Sequence, residues 1–224
     1  MINAVIFDMD GVMFDTENLM KQGWEKACRE MGFTLTEEHL KQMRGSSRER
    51  STRLFEEWFG KNISYDKGRS IRTQYVNDYI LKNSVPVKEG LKELLFFLRE
   101  HSIPAAVATS TPRAQAEHYW KLAGITDFLT ASVCGDEVKN CKPDPEIFLA
   151  AAGKLGVSSK ECLVLEDSIN GLKAARSADA ISCMVPDLTP YTDELADICT
   201  HVCTSLLEVP KLLLENRKNM EGSL

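Results

Sequence analysis

From residue 86 onward, short runs of apolar, β-favouring residues alternate with stretches whose apolar residues recur every three or four positions. The first kind predicts strands at Ile103–Ala108, Ala131–Cys134, Cys162–Leu165, Ala180–Val185 and His201–Cys203. The second predicts helices at Glu89–Glu100, Pro112–Leu122, Pro145–Leu155 and Ile169–Ser177. Alternation of this kind implies an α/β fold built on a doubly wound, mostly parallel sheet. Ala4–Phe7 belongs to the same sheet, and being apolar at every position it is expected at the centre, covered on both faces.

Residues 17 to about 84 break the alternation and read as helices only, at Glu17–Met31, Thr36–Met43, Ser47–Phe59 and Ser64–Lys82. Thr34-Leu-Thr36-Glu-Glu38 has the composition of a helix start, with acids in the first turn. Such a block, inserted between the first strand and the rest, predicts an inserted all-helical cap domain. The expected division is a core of residues 1–16 and 85–224 and a cap of 17–84, with linkers near Thr16–Glu17 and Ser84–Val87. The polar end, Asn216–Leu224, is expected to fray.

Composition narrows the class. The 224 residues carry 43% hydrophobic content, enough for one good core plus a smaller insertion. A net charge of -6 and no Lys/Arg block argue against nucleic acid or an anionic membrane as partner. No apolar run approaches the ~20 residues needed to span a bilayer. The N-terminal apolar stretch is too short for a signal peptide and flows directly into Asp8. Seven cysteines with no CxxC pair, most of them in apolar runs, read as reduced, buried residues of a cytoplasmic protein. The four histidines form no ligand cluster in the sequence.

The chemistry sits where predicted strands end, which in open α/β sheets is the ligand-binding edge. The first strand runs into Asp8-Met-Asp10-Gly11, and unpaired carboxylates at the end of a buried strand are destabilising unless a cation or reacting group accompanies them. Thr109-Ser110-Thr111 follows the second strand, and Glu166-Asp167-Ser168 closes Cys162–Leu165. Lys142 opens Lys142-Pro-Asp-Pro-Glu-Ile-Phe148, just before a helix.

These four segments, in this order, resemble the haloacid dehalogenase-like superfamily of phosphohydrolases and phosphomutases over nearly the whole chain. The helical insert directly after the first motif is similar to the subfamily of β-phosphoglucomutase and phosphoglycolate phosphatase. The resemblance implies Asp8 as nucleophile, giving an aspartyl-phosphate that splits one displacement into two. It implies Mg²⁺ held by Asp8, the Asp10 backbone carbonyl and Asp167, between carboxylate and phosphate charges that would otherwise repel. Asp10 would then serve as general acid and base. Thr109, Ser110 and Lys142 would hold the phosphoryl oxygens, with helix capping as the alternative for Thr109. Glu166 is expected as a partner of Lys142 rather than a direct metal ligand, and Asp15 as a cap on the turn into the insert. Asp136 and Glu137 resemble a family loop near the metal, with a purely local role equally open.

Within the family, Asp10 argues against dehalogenation, and the surroundings of Lys21 do not resemble those of the lysine in phosphonoacetaldehyde hydrolases. The mutases carry a cap histidine, a Gly-x-Ser-Arg loop and a later cap lysine. Here the histidine position falls at Met20 and the lysine position near Ile71, with Arg69 and Arg72 close by, while Gly45-Ser-Ser-Arg48 keeps the loop. Hydrolysis is therefore the expected outcome, with phosphomutase as the alternative and a non-catalytic binding module as a minor one. The expected partner is a small phosphorylated metabolite, a sugar phosphate by family frequency, handled by a monomer. Arg48 is a candidate contact to its distal end, and Leu19, Met20, Trp24, Met43 and Arg44 are candidates to face it.

Overall fold

A computed structural model describes residues 1–44, 46 and 48–221, with side chains to residue 218. Six parallel strands form one sheet: β1 (Ala4–Phe7), β2 (Ala105–Ala108), β3 (Ala131–Val133), β4 (Cys162–Glu166), β5 (Ile181–Met184) and β6 (His201–Val202). Their order is β3-β2-β1-β4-β5-β6, which places β1 at the centre and a reversal of strand order between β1 and β4. Four helices, α1 (Thr16–Met31), α2 (Glu37–Met43), α3 (Arg48–Phe59) and α4 (Tyr65–Asn83), come between β1 and the rest. The remainder are α5 (Leu91–Glu100), α6 (Arg113–Ala123), α7 (Glu146–Leu155), α8 (Ile169–Ser177) and α9 (Val209–Glu221).

Both faces of the sheet are covered, and β1 shows why it needs no polar residue. Val5 and Phe7 enter a core shared with α5, α6 and α9, while Ala4 and Ile6 enter a second core against α7 and α8. Leu91, Leu94, Leu95 and Leu98 place the apolar stripe of α5 on the first face. Each such fully buried leucine contributes about 1.5–3 kcal/mol. The second face is lined largely by Ala106, Ala108, Ala151, Ala152, Ala174 and Ala175, small side chains that let α7 and α8 lie close to the strands. Helices α1–α4 carry a separate, aromatic core of Trp24, Phe55 and Tyr65.

The two chain passages between the sheet and the helical block run side by side. The N–H of Asp15 donates to the Pro86 carbonyl at 2.9 Å, and that of Lys88 to the Met13 carbonyl at 2.9 Å. Residues Asn216 to Glu221 belong to α9, where Asn216 accepts a 3.0 Å bond from the N–H of Ile2; residues 222–224 of the tail expected to fray lie outside the described residues. Asp15 is the N-cap of α1, at the turn into the helical block as expected, with no side-chain bond to the helix backbone. One expectation is corrected. Leu19 is buried in the main core beneath the cavity described below and does not line it. All seven cysteines are free thiols, and no described helix is long and apolar enough to cross a membrane.

Candidate active site

The carboxyl ends of β1, β2 and β4 and the loop after β3 converge on one point beside the reversal of strand order, the crevice where ligands bind in such sheets. Register does the placing. Phe7 pairs with Leu165, and the Asp8 N–H continues the ladder to the Leu165 carbonyl at 2.9 Å, so Asp8 comes level with Glu166. Lys142 reaches the same point before α7, and its Nζ donates to Asp8 Oδ1 and Glu166 Oε1, each at 2.6 Å. A third bond, to the Ala108 carbonyl at 3.1 Å, uses the last of the ammonium's donors.

Asp10 is held apart from this cluster. Thr16 at the start of α1 donates to Oδ1 at 2.5 Å, and Thr111 after β2 donates to Oδ2 at 2.7 Å. Gly11 follows with φ at 88°, a left-handed turn that carries Asp10 away from the strand direction. A Cβ at Gly11 would also collide with the Asp167 carboxylate, so the missing side chain is the room in which Asp167 sits.

Three carboxylates against one ammonium leave the cluster short of positive charge. Burial pushes the Asp8 carboxyl up to about 8, with Lys142 opposing and the charges of Glu166 and Asp10 adding to the rise. Asp167 is pushed well above its ordinary range by burial and then by Glu166 and Glu17. Burial alone would lower the Lys142 ammonium, but Asp8 and Glu166 more than reverse this and hold it above its usual value.

Asp8, Glu166 and Asp167 each offer an oxygen within 4.8 Å of the others. Glu166 is already committed, since its Oε2 accepts from the N–H and hydroxyl of Ser168, both at 2.9 Å, and its Oε1 from Lys142. Asp167 Oδ2, by contrast, is buried with no hydrogen-bond partner. An orphaned carboxylate oxygen among buried acids fits a hard divalent cation, which takes oxygen ligands and supplies the missing charge.

The structure therefore brings together Asp8, Asp10, Lys142, Glu166, Asp167 and Ser110, all of which line a cavity of about 280 Å³ running from the sheet edge to the helical block. Thr109 lies at the end of β2 but is fully buried, and its hydroxyl accepts from the Thr111 N–H at 3.0 Å. Arg48 reaches the cavity with a side chain 58% exposed and paired with Asp66 at 2.8 Å. The Gly45–Arg48 loop includes Gly45 and Ser47, which lie outside the described residues. Met20, Trp24, Met43 and Arg44 do line the cavity. Asp136 and Glu137 serve their own loop, Asp136 accepting from the Arg113 N–H at 2.9 Å and Glu137 pairing with Arg113 and Lys154.

Three contributors were given no role in the sequence: Thr16, Thr111 and Glu17; Arg72 was noted only as a neighbour of the Ile71 position. Thr111 could have been found from its place in the second motif. Glu17 sits in the first turn of α1, where burial followed by the Asp10 charge lifts its carboxyl to about 7, opposed by Arg44 and Arg72.

Comparison with known proteins gives the family. Residues 5–185 match the family model described as haloacid dehalogenase-like hydrolase. A Thermotoga maritima protein named phosphorylated carbohydrates phosphatase is 36% identical over 186 residues, covering 79% of this chain and 82% of that protein. A Drosophila melanogaster protein named as a probable pseudouridine-5'-phosphatase is 35% identical, covering 92% and 91%. The structure of a β-phosphoglucomutase from Clostridium difficile superposes with a TM-score of 0.79 over 100% of both chains at 24% identity, a likeness of fold. With its sheet order and a family match spanning both ends of the catalytic motifs, the chain belongs to the haloacid dehalogenase-like hydrolases.

Proposed function

We propose that the protein is a phosphatase that hydrolyses a small phosphorylated metabolite, a sugar phosphate foremost, through an aspartyl-phosphate on Asp8. The observation that carries this reading is the division of labour between two carboxylates. Asp8 is locked to Lys142, while Asp10, two residues on, is held by the hydroxyls of Thr16 and Thr111 and faces the same cavity. Asp8 attacks phosphorus, and Asp10 gives a proton to the departing oxygen. Asp10 then takes a proton from the water that releases phosphate. Ser110 lines the cavity where it can meet a phosphoryl oxygen, and Lys142 can meet one by turning to it the donor now given to Asp8.

Mg²⁺ held by Asp8, Asp167 and the Asp10 carbonyl would screen the carboxylates from the incoming phosphate and polarise it. Helices α1–α4 form the proposed cap, whose closure over the cavity restricts access to small molecules. The names of the two relatives above, and of a hexitol phosphatase from Escherichia coli 25% identical over 215 residues, support a phosphorylated small molecule as substrate.

Water is favoured over a second sugar phosphate as acceptor because Met20 occupies the position of the mutase histidine. Its sulfur contacts Arg72 Nη1 at 3.6 Å and offers no proton to a phosphoenzyme. Release of phosphate from p-nitrophenyl phosphate, dependent on a divalent cation and abolished in Asp8→Asn, tests the chemistry. No turnover in the wild type refutes it. Efficient conversion of β-glucose 1-phosphate to glucose 6-phosphate, primed with a trace of the bisphosphate, would instead establish the mutase.

A further inference from the structure

The cavity is electrically two-ended. Its sheet side carries Asp8, Asp10, Glu166 and Asp167 around Lys142, and its helical side carries Lys21, Arg44, Arg48, Arg69 and Arg72 against a single acid, Glu17. Three of those five cations have acids of their own: Lys21 pairs with Glu37, Arg48 with Asp66 at 2.8 Å, and Arg44 with Glu17 at 3.7 Å and Glu37 at 3.6 Å. Arg69 and Arg72 have none; neither forms an ion pair with any described residue.

The two arginines are three residues apart on α4 and so share one face of the helix, like charge beside like charge. Arg72 makes only weak local contacts, to Met20 Sδ at 3.6 Å and to the hydroxyl of its neighbour Thr73 at 3.3 Å. Its Nε is buried with no hydrogen-bond partner, as is Nη2 of Arg44, which meets Glu37 only at 3.6 Å. Burial, with Arg69 adding to it, pushes the Arg72 guanidinium below its usual value; Glu17 and Asp10 oppose this from beyond ion-pair distance. A guanidinium stays charged at any working pH, and its planar fork suits phosphate and carboxylate oxygens.

The placement is structurally specified. Gly23 of α1 lets the backbone of α4 approach so closely that a Cβ there would lie 2.9 Å from both the Arg72 carbonyl and its Cγ. The guanidinium then lies 5.7 Å from the Trp24 ring, on the cavity wall. Arg72, held in this pocket with an orphaned Nε, is costly in the empty protein and favoured by an anion opposite it, and Arg69, half-buried, lines the same pocket.

We infer that Arg69 and Arg72 form a second anion-binding subsite, which takes a phosphate or carboxylate at the far end of the phosphate ester. The preferred substrate is thus a bis-anion, its reacting phosphoryl group at Asp8 and its distal anion against α4. This rests on the phosphatase reading and adds the substrate class to it.

The test is competition against p-nitrophenyl phosphate hydrolysis by non-hydrolysable ligands. Alkane-α,ω-diphosphonates and ω-carboxyalkylphosphonates of about three to six carbons are compared with n-alkylphosphonates of equal length. At the best length, Ki is expected to be about tenfold or more lower for a bis-anion than for the mono-anion, as two charge-assisted contacts supply. The two bis-anion series show whether phosphate or carboxylate is preferred. In Arg69→Gln/Arg72→Gln that ratio is expected to fall to within about twofold of unity, and in Arg69→Lys/Arg72→Lys to fall only in part. A wild-type ratio near unity at every length, or a ratio that survives the glutamine pair, overturns the subsite. Turnover of p-nitrophenyl phosphate by the wild type, lost in Asp8→Asn, keeps the outcomes separate. Without it the phosphatase reading fails; with it and no discrimination, only the subsite does.

Discussion

Replacing Lys142 with methionine removes a charge while keeping an apolar stem of similar length beside Phe148, whose ring lies 4.8 Å from the ammonium. Nζ sits 2.6 Å from one oxygen of Asp8 and 2.6 Å from one of Glu166. At an effective dielectric of about 20, each pair is worth roughly 6 kcal/mol of Coulomb attraction before desolvation is subtracted. Breaking a buried pair by deleting one partner costs a net ~3–5 kcal/mol, because the remaining charge stays buried and unpaired. For a protein of this size about 2–4 °C of Tm accompany each kcal/mol, so a drop of roughly 6–20 °C is expected. The assay is thermal unfolding in chelator at about pH 9, above the raised Asp8 value of about 8. Two controls separate electrostatics from packing. At pH 5, where the stranded carboxyls take up protons, the deficit should shrink. In Lys142→Met/Glu166→Gln, which removes one stranded charge, Tm should rise above that of the single variant. A fall of under about 3 °C, or a double variant less stable than Lys142→Met, would refute the account of Lys142 as the counter-charge of the cluster.

The raised Asp8 and Asp167 carboxyls bind protons more tightly folded than unfolded, so the metal-free protein should lose stability as pH rises from about 4, the ordinary aspartate value, to about 8, the raised value of Asp8. Unfolding measured in chelator across that window should show it, and saturating Mg²⁺, which needs the deprotonated acids, should stabilise increasingly toward high pH; the opposite slope contradicts the buried-acid picture. Asp8→Asn should raise the Tm of the metal-free protein while abolishing phosphate release, two readouts that a misfolded variant cannot combine. Gly11→Ala, at a φ of 88° and facing Asp167, should cost about 1–3 kcal/mol and weaken divalent-ion binding by titration calorimetry, whereas an affinity equal to wild type denies Gly11 its part in the site. Thr111→Val, which strips one bond from Asp10, should lower kcat with KM nearly unchanged in p-nitrophenyl phosphate assays, and a change confined to KM would assign Thr111 to binding instead.

Much of this was written in local pattern. The all-apolar Ala4–Phe7 announced a central strand because a strand covered on both faces has no solvent side for a polar residue. Helix α8 runs over Ile169–Ser177 as its periodicity indicated. Helix α9 was missed, because Asn216, Arg217, Lys218 and Asn219 make its second half polar; the first half, through Val209 and Leu213, does the packing. Leu19 and Met20 are neighbours on one amphipathic helix, and nothing short of its docking angle decides that Leu19 enters the main core while Met20 meets the cavity.

The same boundary divides the site. Asp8, Asp10, Lys142, Glu166 and Asp167 were identifiable in sequence because each stands where an apolar run stops or a loop enters a helix, and a charge there needs a reason. That reason is local and survives without coordinates. The partners of Asp10, the unbonded Asp167 oxygen and the unpaired arginines of α4 are another matter. Thr16 and Thr111 are ordinary residues until β1 and β2 lie side by side. Arg69 and Arg72 stand in the sequence only as neighbours of the Ile71 position, and it is the close approach of α4 to α1 at Gly23 that sets Arg72 on the cavity wall. Which residues can carry chemistry was a property of the chain; which charges are left unanswered depends on distances between segments far apart in sequence, and those only packing decides.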